Sequence, residues 1–187
     1  LDSLWLEKRI DSLQQQLFNA TKAISKSSLQ SRVVRVFQYA NYYFPEEKLP
    51  QTVISLLTDV DYSLRAVDAE TMLLLSIDTY LGVDHPLYEG IPTYIKNNLT
   101  LKHLESEIID ALAPRFIPAP SGRTFLDQMV HNGKRLLLHD YLAPKLEPHQ
   151  HIQYTETQWE WAITHQAEVW RYFIAVSYTH LTLPTNA

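Results

Sequence analysis

The chain has 187 residues, 45% of them hydrophobic and 11% aromatic, which is enough apolar material for one domain with its own core. Its net charge is -5 and it has no dense block of lysine and arginine, so nucleic acid and an anionic membrane surface are disfavoured as main partners. Because the chain has no cysteine, disulfides, CxxC redox sites and thiolate zinc sites are excluded.

Two amphipathic helices are predicted at the start of the chain. Apolar residues recur at helical spacing from Leu4 to about Ile24, with polar residues on the other faces. A second apolar face runs from Leu29 to Phe44, serines just before it are candidate N-caps, and Pro45 ends the helix.

Three short strands are predicted next, over Thr52 to Leu57, Tyr62 to Val67 and the apolar run from Met72 to Ile77. Polar turns separate them, so we predict a three-stranded antiparallel meander. The third strand is apolar at almost every position, which indicates that both of its faces are covered. Helices come before and after the strands, so the fold class is α+β and mainly helical, without alternating βαβ units.

Three further helices are predicted in the second half of the chain. They cover Leu101 to Leu112, Arg123 to Tyr141 and Glu156 to Val176, and Pro114 stops the first of them. The last of the three carries the heaviest apolar load.

The second of these helices is predicted to have one inward face. Phe125, Met129, Leu136 and Leu137 are expected to point into the core. Gly133, at the middle of the helix, is expected to let another backbone approach closely. A larger residue there would then overpack the interior.

The loop after the third strand is the most specific stretch of the sequence. Asp78 stands where the buried strand ends, and Gly82, Pro86, Gly90 and Pro92 punctuate the residues that follow. Such spacing prevents regular structure while it fixes the path of the chain. Loops held by a rigid strand often carry function, so this loop is a candidate site.

Carboxylates are the best chemical candidates. Asp59, Asp61, Asp78 and Asp84 fall at strand ends or in that loop, where they could converge on calcium or form a general acid and base pair. Turn chemistry is the simpler interpretation, because aspartate bonds to nearby backbone groups, and we favour it.

Histidines and known motifs give weaker signals. No HExxH, GxSxG, Walker or dinucleotide-binding motif is present. The nearest imitation of HExxH contains His103, Glu105 and Glu107, and it has the wrong order and no second histidine. His149 and His151 could chelate a metal weakly, although a solvated pair in a polar loop is the favoured interpretation. His131, His139 and His165 share no repeated spacing and are expected at the surface or at the edge of the core. We therefore predict no catalytic residue, no metal site and no cofactor.

Three separated blocks of the sequence carry a family resemblance. They are DVDYSLRAVDAETMLLLSIDTYLGVDHPLYEGIPTYI, RTFLDQMVHNGKRLLLHDYLAP and YTETQWEWAITHQAEVWRYFI, and YYFPE precedes them. In this order they closely resemble the gliding-motility lipoprotein GldB family of Bacteroidetes, over about Trp5 to Val176. The positions that the resemblance marks as family-motif or possible interaction residues are Asp61, Tyr62, Asp78, Gly82, Asp84, Pro92, Tyr94, Gly133, Lys134, Tyr154, Trp159, Trp170 and Tyr172.

The resemblance implies a lipoprotein that is held at the cell envelope by an N-terminal lipid, faces the periplasm and takes part in gliding and the linked type IX secretion. It implies contacts with other envelope motility or secretion proteins rather than catalysis. GldB-like sequences are also similar to zinc proteases of zincin type, which carry HExxH. This chain lacks that motif, so the resemblance implies a zincin-related scaffold without its metal centre. The alternative is a zincin-like hydrolase whose site, with Asp78 and Asp84, is completed by a missing C-terminal region.

Both ends of the chain depart from the family pattern. Leu1 is not a start methionine and no lipobox cysteine is present, so we expect a fragment whose anchor lies upstream. The last eleven residues, SYTHLTLPTNA, are typical of adapter or vector read-through. We therefore predict one domain over residues 1–176, truncated at both ends, and a non-native tail over residues 177–187.

Overall fold

The computed structural model describes residues 11–120, 122 and 124–181. Two helices come first, α1 at Ser12–Thr21 and α2 at Lys26–Tyr43. Asp11 and Ser25 cap them by accepting bonds from backbone N–H groups of the first turn. Both predicted helices are confirmed over these residues, whereas the part of the first prediction that precedes residue 11 lies outside the described residues.

Three strands follow, β1 at Thr52–Leu56, β2 at Ala66–Ala69 and β3 at Met72–Ser76. They form one sheet in the order β1-β3-β2, in which β3 is parallel to β1 and antiparallel to β2. A small three-stranded sheet within a mainly helical α+β fold is therefore confirmed. The antiparallel meander is wrong, because the sheet is mixed.

The position of β3 explains the mixed sheet. As the most apolar strand, β3 gains most from a neighbour on each edge, and Leu73 and Leu75 are fully buried. Residues 57–65 carry the chain from β1 past the position of β3 to the far edge of the sheet, instead of turning it back to pair β2 with β1. The expected cover on both faces is incomplete, because Leu74 is only partly buried and Met72 is exposed.

Short elements separate the sheet from the next long helix: 3-10 turns at Ile77–Thr79, Pro86–Tyr88 and Leu101–His103, and the one-turn helix α3 at Thr93–Lys96. The long helix itself, α4, spans Leu104–Phe116.

Helix α4 passes through Pro114, so the predicted stop there is wrong. A proline this close to the end of a helix removes one backbone bond, and only two residues follow it. Arg115 fixes the last turn, since its guanidinium contacts the Asp68 carboxylate and donates to the Lys48 carbonyl at 2.6 Å. Tertiary contacts therefore set the end of this helix.

Helix α4 is the centre of the core of this part of the chain. It packs against α2, β2 and the following helix, α5, at Phe125–Leu142. The buried apolar side chains of the core are Val33, Val36, Ala40, Leu73, Leu75, Tyr80, Leu104, Ile108, Ile109, Leu112, Ala113, Ile117, Leu138, Leu142 and Ala143.

The predicted inward face of α5 is wrong. Phe125, Met129, Leu136 and Leu137 are all exposed, and the buried side chains of α5 are Leu138, His139 and Leu142. Apolar residues occupy nearly every face of this helix, so helical spacing alone does not select one of them. Contact with α2 and α4 makes the selection.

Gly133 lies on the outer face of α5. A Cβ atom built on it meets nothing within 4 Å. The expected close approach of another backbone, and the overpacking that a larger residue would cause, are therefore wrong for the described residues.

The described residues form two compact units, with the boundary after Gln153. Helix α6, Pro148–His151, ends the first; α7, Glu156–Thr164, and α8, Gln166–Leu181, form the second. One long helix was expected from Glu156, but it breaks at His165, whose ring contacts carbonyl and hydroxyl groups at the end of α7. No helix in the described part of the chain is long and apolar enough to span a membrane.

Candidate functional site

The loop after β3 is organised by Asp78, whose side chain is fully buried. Asp78 Oδ2 accepts bonds from the backbone N–H groups of Thr58 and Val60, both at 2.9 Å. Its Oδ1 accepts a third, from the Thr58 hydroxyl at 3.3 Å. The carboxylate therefore ties the segment after β1 to the end of β3, which is the turn chemistry that the sequence favoured.

The segment that Asp78 holds has a strained backbone. Asp59 has φ 59° and Val60 has φ 61°. A β-branched residue rarely adopts this left-handed conformation, which persists only where surrounding bonds fix it. The bonds from Asp78 supply that constraint, and the amide of Gln14 also donates to the Asp59 carboxylate.

Asp61 completes the turn. Its Oδ1 accepts bonds from the backbone N–H of Ser63 at 3.0 Å and from the Ser63 hydroxyl. These two bonds lower the pKa of Asp61. The neighbouring Tyr62 is exposed, and so is Asp84 in the following loop. Among the described residues, no group of three or more His, Asp or Glu side chains could hold a metal ion.

Tyr88 forms the interior of the loop. Its side chain is fully buried, and its hydroxyl donates to the Asp78 carbonyl at 2.8 Å and accepts from the Leu81 N–H at 2.9 Å. Burial raises the pKa of Tyr88 to about 12. Gly82, at φ 111°, bonds through its N–H to the Leu99 carbonyl at 3.0 Å, so the two ends of the loop are joined.

The loop presents Tyr94 to solvent. Pro92 is exposed and caps α3 at its N-terminus, and the Tyr94 side chain on α3 is 73% exposed. Asp78 and Tyr88 hold the loop from within, so this aromatic ring stands on an ordered frame.

A buried polar cluster lies among β2, α4 and the end of the first unit. The Arg65 guanidinium donates to the Asn98 carbonyl at 3.1 Å and to Gln153 Oε1 at 3.0 Å, and it contacts the Glu107 carboxylate. Burial raises the pKa of Glu107 to about 7 against the opposing effect of Arg65. Burial also lowers the pKa of His103 to about 4.

Sequence reasoning missed this cluster. His103 and Glu107 were rejected as an imitation of HExxH. His103 ends the 3-10 turn Leu101–His103 and Glu107 lies in the first turn of α4. Two ionisable residues four positions apart at the start of an amphipathic helix were the available signal. Tyr80 is buried near them; its hydroxyl has no partner among the described residues, and burial raises its pKa.

Two histidines are also buried, contrary to expectation. His139 on α5 was expected at the surface or at the edge of the core, and His151 on α6 was expected in solvent, but their side chains are 2% and 7% exposed. His139 Nε2 lies 3.2 Å from Asp110 Oδ1, which also accepts from Arg135. Burial raises the pKa of Asp110, but these bonds outweigh it and lower the pKa below its ordinary value.

The remaining family-motif positions lie on α5 and in the second unit. Gly133 and Lys134 are exposed on α5. In the second unit Tyr154, Trp170 and Tyr172 are exposed and Trp159 is half-buried. Within the first unit the structure therefore brings Asp61 and Asp78 into one substructure.

Fold and site together define a mainly helical α+β protein that presents an ordered loop at the end of a small mixed sheet. The sequence model of the family Gliding motility protein GldB matches residues 1–182, so the chain belongs to that family. Membership implies a gliding motility lipoprotein of the cell envelope. Neither a curated protein nor a solved structure matches the chain. The match extends past Val176, and the domain end there and the non-native tail stay predictions.

Proposed function

We propose that this protein is an envelope component of the gliding apparatus and of the linked type IX secretion machinery, and that it acts through protein contacts. In this proposal an N-terminal lipid anchors it and the described domain faces the periplasm. Its partners are other motility or secretion proteins of the envelope. Family membership supports the motility role, and the geometry of the loop after β3 supports the contact role.

One observation carries the contact role: Tyr94 is exposed on a loop that is ordered from within. Asp78 and Tyr88 fix the loop through bonds to backbone groups, so little conformational entropy is lost when a partner binds. Tyrosine is among the residues that dominate the binding energy of interfaces. The exposed aromatic rings of Trp170 and Tyr172 on α8 supply a second surface of the same kind.

The hydrolase alternative receives less support from the geometry. The Asp78 carboxylate already accepts bonds from two backbone N–H groups and a hydroxyl. A general base needs a free lone pair directed at a substrate, so Asp78 acts as a structural residue in this proposal. The alternative stays a prediction that concerns residues outside the described part of the chain.

Affinity capture from envelope extracts tests the proposal. Tyr94→Ala should reduce recovery of the bound motility proteins about tenfold or more, as removal of an interface anchor does. Tyr42→Ala is the matched control, because Tyr42 is 77% exposed on α2, away from the loop. Tyr88→Ala is unsuitable, since Tyr88 holds the loop together. Equal recovery with Tyr94→Ala and the control would contradict a contact role for the loop.

A further inference from the structure

His139 and His151 form a buried pair outside the loop. They come from α5 and α6, and their ring centres lie 5.7 Å apart with 37° between the ring planes. Two imidazoles that share one tetrahedral zinc ion have ring centres about 5 Å apart, because the metal lies about 2 Å from each nitrogen. The distance between the ring centres is therefore compatible with two ligands of a single ion.

One nitrogen of each ring faces a carboxylate. His139 Nε2 lies 3.2 Å from Asp110 Oδ1, and His151 Nδ1 lies 3.0 Å from Asp140 Oδ1. A carboxylate beside one ring nitrogen places the proton on that nitrogen. Histidine ligands of metals typically have this outer partner, which orients the ring.

The other two nitrogens have no partner. His139 Nδ1 and His151 Nε2 are buried and unpaired within the described residues. With the proton on the carboxylate side, each of them carries a lone pair and no hydrogen. Two lone pairs cannot bond to each other, so each of these nitrogens needs either a hydrogen-bond donor or a metal ion as its partner.

The surrounding charge suits a cation. Asp110 and Asp140 contribute two negative charges, and Arg135, which bonds to Asp110 at 2.5 Å, contributes one positive charge. With neutral rings these groups sum to one negative charge. A cavity of about 260 Å³, lined by Asp110, Arg135 and His131 among others, adjoins the Asp110 side of the pair.

We propose that His139 Nδ1 and His151 Nε2 bind one transition-metal ion of the zinc, nickel and copper group, with Asp110 and Asp140 as outer partners. Imidazole is a preferred ligand of these metals. The described residues supply no third protein ligand, so water completes the coordination. The ion ties α6 to α5 and has a structural role, independent of the contact function of the loop.

Calorimetric titration of Zn²⁺ into the purified chain tests the site. We expect one ion per chain, and at least about tenfold weaker binding in His139→Gln and in His151→Gln. His149→Gln is the matched control, because it removes a histidine of the same short helix that is not in the pair, and it should bind like the parent. Asp140→Asn should weaken binding about tenfold, as loss of an outer partner does; its side chain is 65% exposed, so the fold does not depend on it.

Nitrogen chemical shifts of the histidine rings provide a second readout that does not require the glutamine variants to fold. On addition of Zn²⁺ the shifts of His139 Nδ1 and His151 Nε2 should move, whereas those of His85 should not. The proposal is overturned if no stoichiometric ion binds, since water then bridges the pair, or if binding survives in both glutamine variants. In the second case the ion belongs to another site, which would favour the hydrolase alternative.

Discussion

Helices α4 and α5 contact each other, but α4 buries a charged side chain whereas α5 exposes most of its apolar ones. On α4 the charged residue Glu105 is as deeply buried as the leucines beside it. On α5 only three side chains are buried, whereas Phe125, Leu126, Met129, Val130, Leu136, Leu137 and Tyr141 are exposed. Place in the fold, rather than the polarity of the residues, decides which side chains of these helices leave water.

The two helices differ in how much of their surface is covered, because seven of the 13 side chains of α4 are buried and three of the 18 of α5. Helix α4 contacts α2, α5 and β2, so its polar side chains must find partners inside the protein. Glu105 does so by accepting bonds from Arg32 at 2.9 Å and Arg35 at 3.1 Å. Helix α5 lies at the edge of the unit, and the polar side chains on its outer face can bond to water instead.

Truncating one leucine on each helix should give the largest difference. Leu112→Ala on α4 removes a fully buried side chain and should lower the free energy of unfolding by about 2–5 kcal/mol. Leu137→Ala on α5 removes an exposed one and should lower it by about 0.5 kcal/mol or less. Denaturant unfolding measures both. Equal losses would mean that the outer face of α5 is covered in solution.

Glu107 in the first turn of α4 and His103 just before this helix should make stability depend on pH in two opposing ways. The pKa of Glu107 is raised from 4.5 to about 7, so its contribution to stability is full below pH 4.5 and is lost as the pH rises to 7. The pKa of His103 is lowered from 6.5 to about 4, so its contribution is full above pH 6.5 and is lost as the pH falls to 4. Between these limits the two effects oppose each other.

Single substitutions separate the two effects. In His103→Gln, stability should fall by up to about 3 kcal/mol from pH 4.5 to 7, because only the Glu107 dependence remains. In Glu107→Gln, stability should rise with pH between 4 and 6.5. Unfolding curves at several pH values measure this. Parallel profiles of the two variants would show that neither group titrates as its burial implies.

Asp78→Asn tests whether a buried polar side chain outside α4 also depends on its partners inside the protein. The substitution removes the negative charge and turns one carboxylate oxygen into an NH2 group. The backbone N–H groups of Thr58 and Val60 share Oδ2, so both keep an oxygen acceptor only when the NH2 group faces the Thr58 hydroxyl, and their bonds to a neutral amide oxygen are then weaker. We expect a loss of about 1–3 kcal/mol and faster amide hydrogen exchange at Val60. Asp84→Asn, in the same loop but exposed, is the control and should change stability by about 0.5 kcal/mol or less. Unchanged exchange at Val60 would show that Asp78 does not hold this segment.

Gly133→Ala should give the smallest effect, of opposite sign. Gly133 is in the middle of α5 and an added Cβ meets no atom within 4 Å. Alanine should therefore raise the free energy of unfolding by about 0.5–1 kcal/mol, because it restricts the unfolded chain and favours the helix. Thermal melting measures it. A destabilised variant would reveal a close neighbour on the outer face.

Local sequence patterns predicted most of the helices and strands, but they did not predict which other segments these pack against or pair with. The helical spacing before Phe44 and the apolar run of β3 each identified an element, since periodicity and turn residues act within a few positions. The prediction of the buried face of α5 was wrong because leucines at three successive positions, 136–138, place apolar side chains on several faces of the helix at once. The predicted strand order was wrong, because β3 lies between the other two strands and strand order depends on pairing between segments far apart in the chain.

In the candidate site, too, local patterns identified some residues and missed those that depend on contacts between distant segments. Asp78 was found because an aspartate at the end of a buried strand is locally unusual. Glu107 and His103 were set aside, and His139 with His151 was missed, because such groups become significant only when distant segments bury them together.

The sequence by itself determined the two N-terminal helices, the presence of three strands, the loop after the third strand and the membership of the GldB family, because these follow from short-range periodicity, turn chemistry and motif order. Only the tertiary structure decided which face of α5 is buried, which strand lies in the centre of the sheet and which charged groups lose their water. Burial and pairing are properties of several segments at once, and the free energy that selects them comes from contacts between residues far apart in the chain.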